Sequence, residues 1–382
     1  MPHANKLFAL SEAAHSFESR YLDLLGSLVS RESPTADKTA ADALADDLET
    51  ALEDEGWQVE RIEVEPVGDQ LVARRNGTGT VSTLLLCHYD TVWQPGTIET
   101  MPYRRDGDKI YGPGILDMKA GIVSAMMAPS VARRVDHEIA GPLTLLITSD
   151  EETGSLHSRK LIEQLAVEHD RVLVLEPARD DGALKIGRKG TACYWATLHG
   201  RSAHAGVNPE QGASALRELA HFLFHAEGLT DTSLGTTVNV TVAAGGTVSN
   251  VIPEQARGEV DVRVPSTAEG ERVNRAICGY TPRDPRVKVS VEGGLNRPPL
   301  EVTQANRRLF GEAQSIAAQL GFELDGAVVG GGSDGNFTSA LAVPTLDGLG
   351  AVGGGPHARH EHIRMSETLD RLALLAGLLC RQ

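Results

Sequence analysis

Aromatic residues are scarce in this chain of 382 residues, at 4% of the total, so its core has to be built from Leu, Val, Ile and Ala; a hydrophobic share of 41% supplies them. Cysteine occurs four times, at Cys87, Cys193, Cys278 and Cys380, with no C-x-x-C pair. That spacing indicates neither a thiolate zinc site nor a disulfide framework, and a reduced, cytoplasmic protein is expected. Blocks of Lys or Arg are missing and the net charge is −16. The balance argues against nucleic acid or an anionic membrane as a partner, and for a small molecule or a cation. Residues Met1 to Arg20 lack the apolar h-region of a secretory signal, and no segment is expected to reach transmembrane length.

What the chain does have is acid at the ends of apolar runs. Leu143 to Ile147 reads as a buried parallel strand, and Ser149-Asp150-Glu151-Glu152-Thr153-Gly154 follows directly. Residues past the carboxyl end of such a strand face the crevice where open α/β sheets hold their ligands. Three adjacent carboxylates repel one another unless something positive sits among them, and a metal ion is the simplest answer. A second run, Val81 to Cys87, ends in His88-Tyr89-Asp90. Residues i and i+2 of a strand point the same way, so an imidazole and a carboxylate are presented together. A third, Arg171 to Leu175, ends in Glu176-Pro177. One acid at one strand end means little, whereas His88 and Asp90, Glu151 and Glu152, and Glu176 at three of them make a constellation. Asp117 follows the turn Tyr111-Gly112-Pro113-Gly114 and precedes a helical stretch, Met118 to Arg134, where it can cap the helix, ligate a metal, or do both. Pro129 is expected to end or kink that helix. The glycine-rich stretch 348–355, a flexible linker or a close approach of backbone to a ligand, precedes His357, His360 and His362.

Helical spacing marks Tyr21 to Val29 and Asp37 to Glu55, the latter with Thr35 as a candidate cap and Gly56 as its stop. Strands are expected at Gln58 to Val64 and Leu71 to Arg74. Near Gly187 the texture changes. Thr191 to Leu198 reads as a strand and Asn208 to Glu227 as a helix with Ala213, Leu216, Ala220, Leu223 and Phe224 on one face. Strands at Thr236 to Ala244 and Glu254 to Val264, a helix at Ser266 to Cys278 and a strand at Arg286 to Val291 complete a βαββαβ order, the ferredoxin-like pattern. His221 and His225 stand i, i+4 and read as helix surface. A helix at Asn306 to Leu320 and a short strand at Pro344 to Leu346 resume the first pattern. The expected fold is therefore α/β: a mostly parallel sheet built from 1–187 and 300–382, interrupted by a ferredoxin-like domain at 188–299.

Seven motifs in this order resemble the dizinc carboxypeptidase and deacylase family: H-Y-D at 88–90, G-x-x-D-M-K ending at Lys119, S-D-E-E-T-G at 149–154, L-E-P at 175–177, G-x-S-A-H-A-G at 200–206, N-V-I-P at 250–253 and G-G-G-P-H-A-R-H-E at 353–361. That family includes glutamate carboxypeptidase, acetylornithine deacetylase, succinyl-diaminopimelate desuccinylase and the aminoacylases. G-G-G-S-D-G-N at 330–336 and G-L-G-A-V-G-G-G at 348–355 look most like its glutamate carboxypeptidase branch. The resemblance implies a zinc-peptidase catalytic domain with an inserted lid domain through which the protein forms a homodimer. It implies two Zn2+ ions, replaceable by Co2+ or Mn2+, with His88 and Glu176 on one, Glu152 and His357 on the other, and Asp117 bridging both. Asp90 resembles the acid that orients His88, and Glu151 the general base. His204 resembles the histidine that reaches into the partner subunit's site to stabilise the oxyanion. Asn250 and Arg297 are placed like the substrate contacts, the arginine gripping a free carboxylate. A cis peptide at Asp117-Met118 is implied as well. Where the family has Ser-Pro after its ligand histidine this chain has Ala358-Arg359, which leaves the ligands untouched but alters the rim; His360 and His362 fall on variable positions and are expected to be solvated. The activity implied is cleavage of an amide bond in a small molecule or short peptide with a free carboxylate, of glutamate carboxypeptidase type, the alternative being an N-acyl amino acid deacylase of acetylornithine or aminoacylase type.

Overall fold

The computed structural model describes residues 2–380 and divides into two compact units. The first comprises Met1–Gly187, Val302–Val328 and Ser333–Gln382; the second comprises Arg188–Glu301 with Val329–Gly332.

The first unit is organised by a six-stranded sheet in the order Gln58–Ile62, Gln70–Arg75, Leu143–Thr148, Thr83–His88, Arg171–Val174, Thr345–Leu346. The last four run parallel to one another, and the first two are antiparallel additions at one edge. The three central parallel strands are buried along their whole length. They read as unbroken apolar runs because both faces are covered: Leu85, Cys87, Leu145, Ile147 and Leu173 join one core cluster, while Leu84, Leu86, Leu146, Val172 and Val174 join another. Register sets the site. His88 pairs with Thr148 and Leu86 with Val174, so 88–90, 149–152 and 175–176 all leave the sheet at one edge.

Several local expectations are corrected. The helix Lys38–Asp54 is capped by Asp37, whose carboxylate accepts the Ala40 N–H at 3.1 Å, not by Thr35. The buried helix Ala120–Arg134 does not end at Pro129 but continues past it. A proline removes one i to i−4 bond, and here packing on every side outweighs that loss. The stretch Ile115–Arg134 is long and apolar enough to cross a membrane by length and composition, against expectation, with a mean hydropathy of 1.3; 94% of that window is buried, which marks a central core helix. Asp117 does not cap it, since the cap position falls on Lys119 and Asp117 sits off the helical region at φ −118°, ψ 92°. A helix at Pro2–Ser16 and a small antiparallel sheet, in the order Gly353–Gly354, His362–Arg364, Lys109–Tyr111, Arg104–Asp106, were not legible as elements.

The second unit is a four-stranded antiparallel sheet in the order Thr237–Gly245, Gln255–Val264, Gly190–His199, Lys288–Arg297, with helices Ala215–Glu227 and Thr267–Cys278. In chain order this is strand 2, 3, 1, 4, as a ferredoxin-like βαββαβ arrangement requires. The helix that begins at Ala215 buries Ala215, Leu219, Phe222 and Ala226. Leu216 and Phe224 are 42% and 78% exposed and Ala220 is exposed, whereas Ala213 is buried and Leu223 packs against the core, so the apolar face read from the sequence is divided between core and solvent. Both stripes are apolar, and periodicity alone cannot choose between them.

Candidate metal centre

Three strand ends and two loops bring acids and imidazoles together at one edge of the first unit. His88, the last residue of its strand, is buried. Its Nε2 lies 3.2 Å from Asp117 Oδ1 and 3.4 Å from Glu176 Oε1. Its Nδ1 lies 3.1 Å from the Asp90 carbonyl and 3.3 Å from Asp90 Oδ1. Asp90, fully buried, does more than face the ring: its carboxylate accepts the Thr35 hydroxyl at 2.7 Å and the N–H groups of Glu151 and Glu152, both at 3.2 Å. One side chain thus ties the end of one strand to the turn after its neighbour.

His357 lies opposite, half exposed, with Nε2 3.2 Å from Glu152 Oε1 and 3.4 Å from Asp117 Oδ2. Asp117 therefore offers one oxygen to each imidazole. Two groups have donor atoms that fall within 4.8 Å of one another, His88 with Glu151 and Glu176, and Asp117 with Glu152 and His357; Asp117 links the second to the first through its contact with His88. Glu151 is thereby brought beside His88 and Glu176, a proximity that the motif alone does not specify. The peptide bond Asp117-Met118 is cis, as the resemblance implies.

The electrostatics are those of a site short of positive charge. Burial opposes a charge on His88, yet Asp117, Asp90 and Glu176 hold its ring well above the ordinary value. Hydrogen bonds from its ring to the carboxylates of Asp117 and Glu152 push His357 up to about 10. Burial works against ionisation of Asp117, but the two imidazoles keep it far below the usual carboxylate range. Carboxylates crowded around two imidazoles favour a positive charge at this place, and a set of imidazole and carboxylate donors with no thiolate suits Zn2+, Co2+ or Mn2+.

The glycine-rich stretch is not a linker: its backbone packs closely against the backbone of neighbouring segments. A Cβ at Gly350 would stand 2.1 Å from the Leu175 carbonyl, next to Glu176, and one at Gly353 would stand 1.9 Å from the His362 carbonyl. His362, expected to be solvated, is 9% exposed, with Nδ1 2.9 Å from the His360 carbonyl and its ring 5.3 Å from that of Tyr111. Its strand pairing with Tyr111 explains the burial. Asp150 stays off the metal donors: it is buried and accepts the His157 N–H at 2.7 Å, and desolvation raises its pKa. Sequence reasoning missed the part played by Glu361. Its buried carboxylate accepts three N–H groups of the turn that carries Asp117 and the indole N–H of Trp93, and its one sequence signal was its place four residues after His357.

The remaining candidates lie in the second unit. His204 is exposed in an isolated bridge to Val251, and its Nδ1 accepts the Gly206 N–H at 3.1 Å. Asn250 is exposed, and its carbonyl accepts the Ala205 N–H at 2.9 Å. Arg297 is only 4% exposed at the end of its strand. His221 lies on the helix Ala215–Glu227, and His225 on the same helix is exposed, with Nε2 3.0 Å from the Ala276 carbonyl.

Residues 84–381 match the family described as Peptidase family M20/M25/M40. Carboxypeptidase G2 of Pseudomonas sp. (strain RS-16) is 30% identical over 377 residues, covering 97% of this chain and 91% of that protein. Succinyl-diaminopimelate desuccinylase of Sphingopyxis alaskensis is 29% identical over 368 residues, covering 90% of this chain and 93% of that one. Among solved structures, aminopeptidase PepT from Bacillus cereus superposes with a TM-score of 0.80 at 22% identity, covering 95% of this chain and 98% of that one, a likeness of fold.

Proposed function

The chain belongs to peptidase family M20/M25/M40 and is an enzyme of the metallopeptidase class, and from that premise we propose that it hydrolyses the amide bond joining a carboxylate-bearing residue, glutamate first, to an acyl or peptidyl group. The observation that carries the reading is the pair of donor groups, His88 with Glu151 and Glu176 and Asp117 with Glu152 and His357, joined by the Asp117 carboxylate, which faces both imidazoles. Likeness to carboxypeptidase G2 over 97% of the chain supports a carboxypeptidase, and the stretches 330–336 and 348–355, which resemble the glutamate carboxypeptidase branch, support the choice of glutamate.

His88 and Glu176 would hold one Zn2+, Glu152 and His357 the other, and Asp117 both. Zn2+, or Co2+ or Mn2+ in its place, would polarise the scissile carbonyl and acidify the attacking water. The proton of that water needs a base that can also return it. Glu151 takes it and passes it to the leaving nitrogen, a role worth about 10²- to 10⁴-fold in rate. Asp90 keeps the His88 ring oriented, as carboxylates behind ligating histidines do. In the second unit, exposed His204 is assigned to the oxyanion in a partner copy's site and Asn250 to the substrate. Arg297, 4% exposed, is assigned to the free carboxylate.

A homodimer through the second unit is part of the proposal. Its edge strand Thr237–Gly245 is largely exposed, and Leu216 and Phe224 give the neighbouring helix an apolar outer face. The four free cysteines support a reducing, cytoplasmic setting, and neither nucleic acid nor membrane figures among the proposed partners.

The test is a panel of dipeptides, N-acyl amino acids and folate-type glutamates on metal-reconstituted protein, read by release of the terminal amino acid. Glutamate-terminated substrates are expected to lead. Faster release of acetate or succinate from N-acyl diamino acids would favour the deacylase reading, which the desuccinylase relative supports. Absence of amide cleavage across the whole panel would overturn both.

A further inference from the structure

We propose that Glu361 is the positioning residue that holds the Asp117 carboxylate midway between the two donor groups; the inference rests on the metallohydrolase reading of that site and concerns no contact with substrate. Its side chain is fully buried. Oε1 accepts the N–H of Leu116 at 2.8 Å and of Asp117 at 3.1 Å, while Oε2 accepts the N–H of Gly114 and the Trp93 indole N–H, each at 3.0 Å. A carboxylate has about four lone-pair directions, and all four are taken by donors. Three belong to the turn that delivers Asp117, and the fourth comes from the loop that follows His88 and Asp90.

Glu361 is equally tied to His357. Its own N–H donates to the Ala358 carbonyl at 2.8 Å, and the Ala358 N–H to the Gly355 carbonyl at 3.0 Å, closing the turn that carries the imidazole. The strand immediately after it, His362–Arg364, pairs with Lys109–Tyr111, the strand immediately before the Asp117 turn. One buried side chain therefore sets the position of Asp117 relative to His357 directly and relative to His88 through Trp93. The tolerance is small: Asp117 stands 3.2 Å from one imidazole and 3.4 Å from the other, so sliding its turn by about an ångström lengthens one contact while it shortens the other. Displacement of Asp117 should therefore cost the chain one metal equivalent before it costs both.

Glu361→Gln keeps the shape and breaks the polarity, because the amide NH2 must face donors whichever way it is turned. The experiment is titration of metal-free protein with Zn2+ and with Co2+, read by calorimetry and by the Co2+ absorption bands, with no substrate present. E361Q is expected to keep the first equivalent within about threefold and to weaken the second by about 10- to 100-fold, the range found when a partner behind a ligand is removed. Its kcat at limiting metal should fall and recover with excess metal, at unchanged KM. Should E361Q fail to fold, Trp93→Phe removes one of the four donors and is expected to weaken the second equivalent by about three- to tenfold. Two equivalents bound as tightly as in the parent, in E361Q or in W93F where that variant decides, would overturn the inference, and so would a parent that takes up only one. A parent that binds two equivalents and cleaves no amide would sink the hydrolase reading and leave this one standing.

Discussion

Asp90→Asn changes one atom of a side chain that holds three segments. The carboxylate receives the Thr35 hydroxyl and the Glu152 N–H on Oδ2, and the Glu151 N–H on Oδ1, with His88 Nδ1 a further 3.3 Å from Oδ1. The best orientation of an asparagine leaves its oxygen toward Glu151 and His88. Its NH2 then meets the Thr35 hydroxyl, which can turn to accept, and the Glu152 N–H, which cannot. One donor is orphaned, at about 1–3 kcal/mol, and the bonds that survive lose their charge assistance. We expect the metal-free protein to lose about 2–4 kcal/mol in total on these values. Metal affinity should fall by about tenfold, the lower end of the range for such partners, because the carbonyl of residue 90, 3.1 Å from Nδ1, remains to orient the ring. Urea unfolding followed by tryptophan fluorescence in a Trp195→Phe background reports the first unit through Trp57 and Trp93 alone, and Zn2+ calorimetry gives the affinity. A stability change below about 0.5 kcal/mol, within what a surface substitution does, together with unaltered Zn2+ binding, would refute the role assigned to Asp90.

Glu151→Gln should lower kcat by about 10²- to 10⁴-fold with both metal equivalents retained; loss of an equivalent in the titration would make Glu151 a ligand and not the base. Burial opposes ionisation of Asp69, but Lys38 Nζ at 2.6 Å and Arg61 Nε at 2.7 Å hold its carboxyl below the ordinary value. A depressed folded-state pKa contributes stability that is present above the unfolded value of about 3.9 and is lost as pH falls through the folded one. The urea midpoint of Asp69→Asn should accordingly lie below the parent's at neutral pH and converge on it below about pH 4; parallel curves would count against the network. Phe222, fully buried with its ring edge-on to Tyr280 at 5.2 Å, should cost about 3–5 kcal/mol when cut to alanine. Trp195 fluorescence would report that loss in the second unit, and first-unit Zn2+ binding should stay within twofold.

How much was legible depended on period and length. The central strands announced themselves as apolar runs because both sheet faces are covered, and their polar ends named His88, Asp90, Glu151, Glu152 and Glu176 before any fold was known. The βαββαβ order of the second unit was readable for a different reason, the alternation of its long central strands; Gln255–Val264 buries every second residue. The helix stripe at Ala215–Glu227 is right for Leu223 and wrong for Leu216 and Phe224, because two apolar faces satisfy one period. Gly353–Gly354 and His362–Arg364 could not be recognised, because strands of two or three residues carry no pattern; their pairing is what buries His362.

Residue chemistry is local, and so the sequence by itself determined which side chains are donors, which strand ends carry them, and that the set is short of a cation. Distance and direction depend on chain segments far apart in sequence. Only the tertiary structure decided that Asp117 turns one oxygen to His88 and the other to His357, that Glu151 comes beside His88 and Glu176, and that Glu361, 244 residues from Asp117, accepts its N–H. A carboxylate buried among four donors cannot be read from its neighbours in the chain, because the donors that hold it come from elsewhere in the fold.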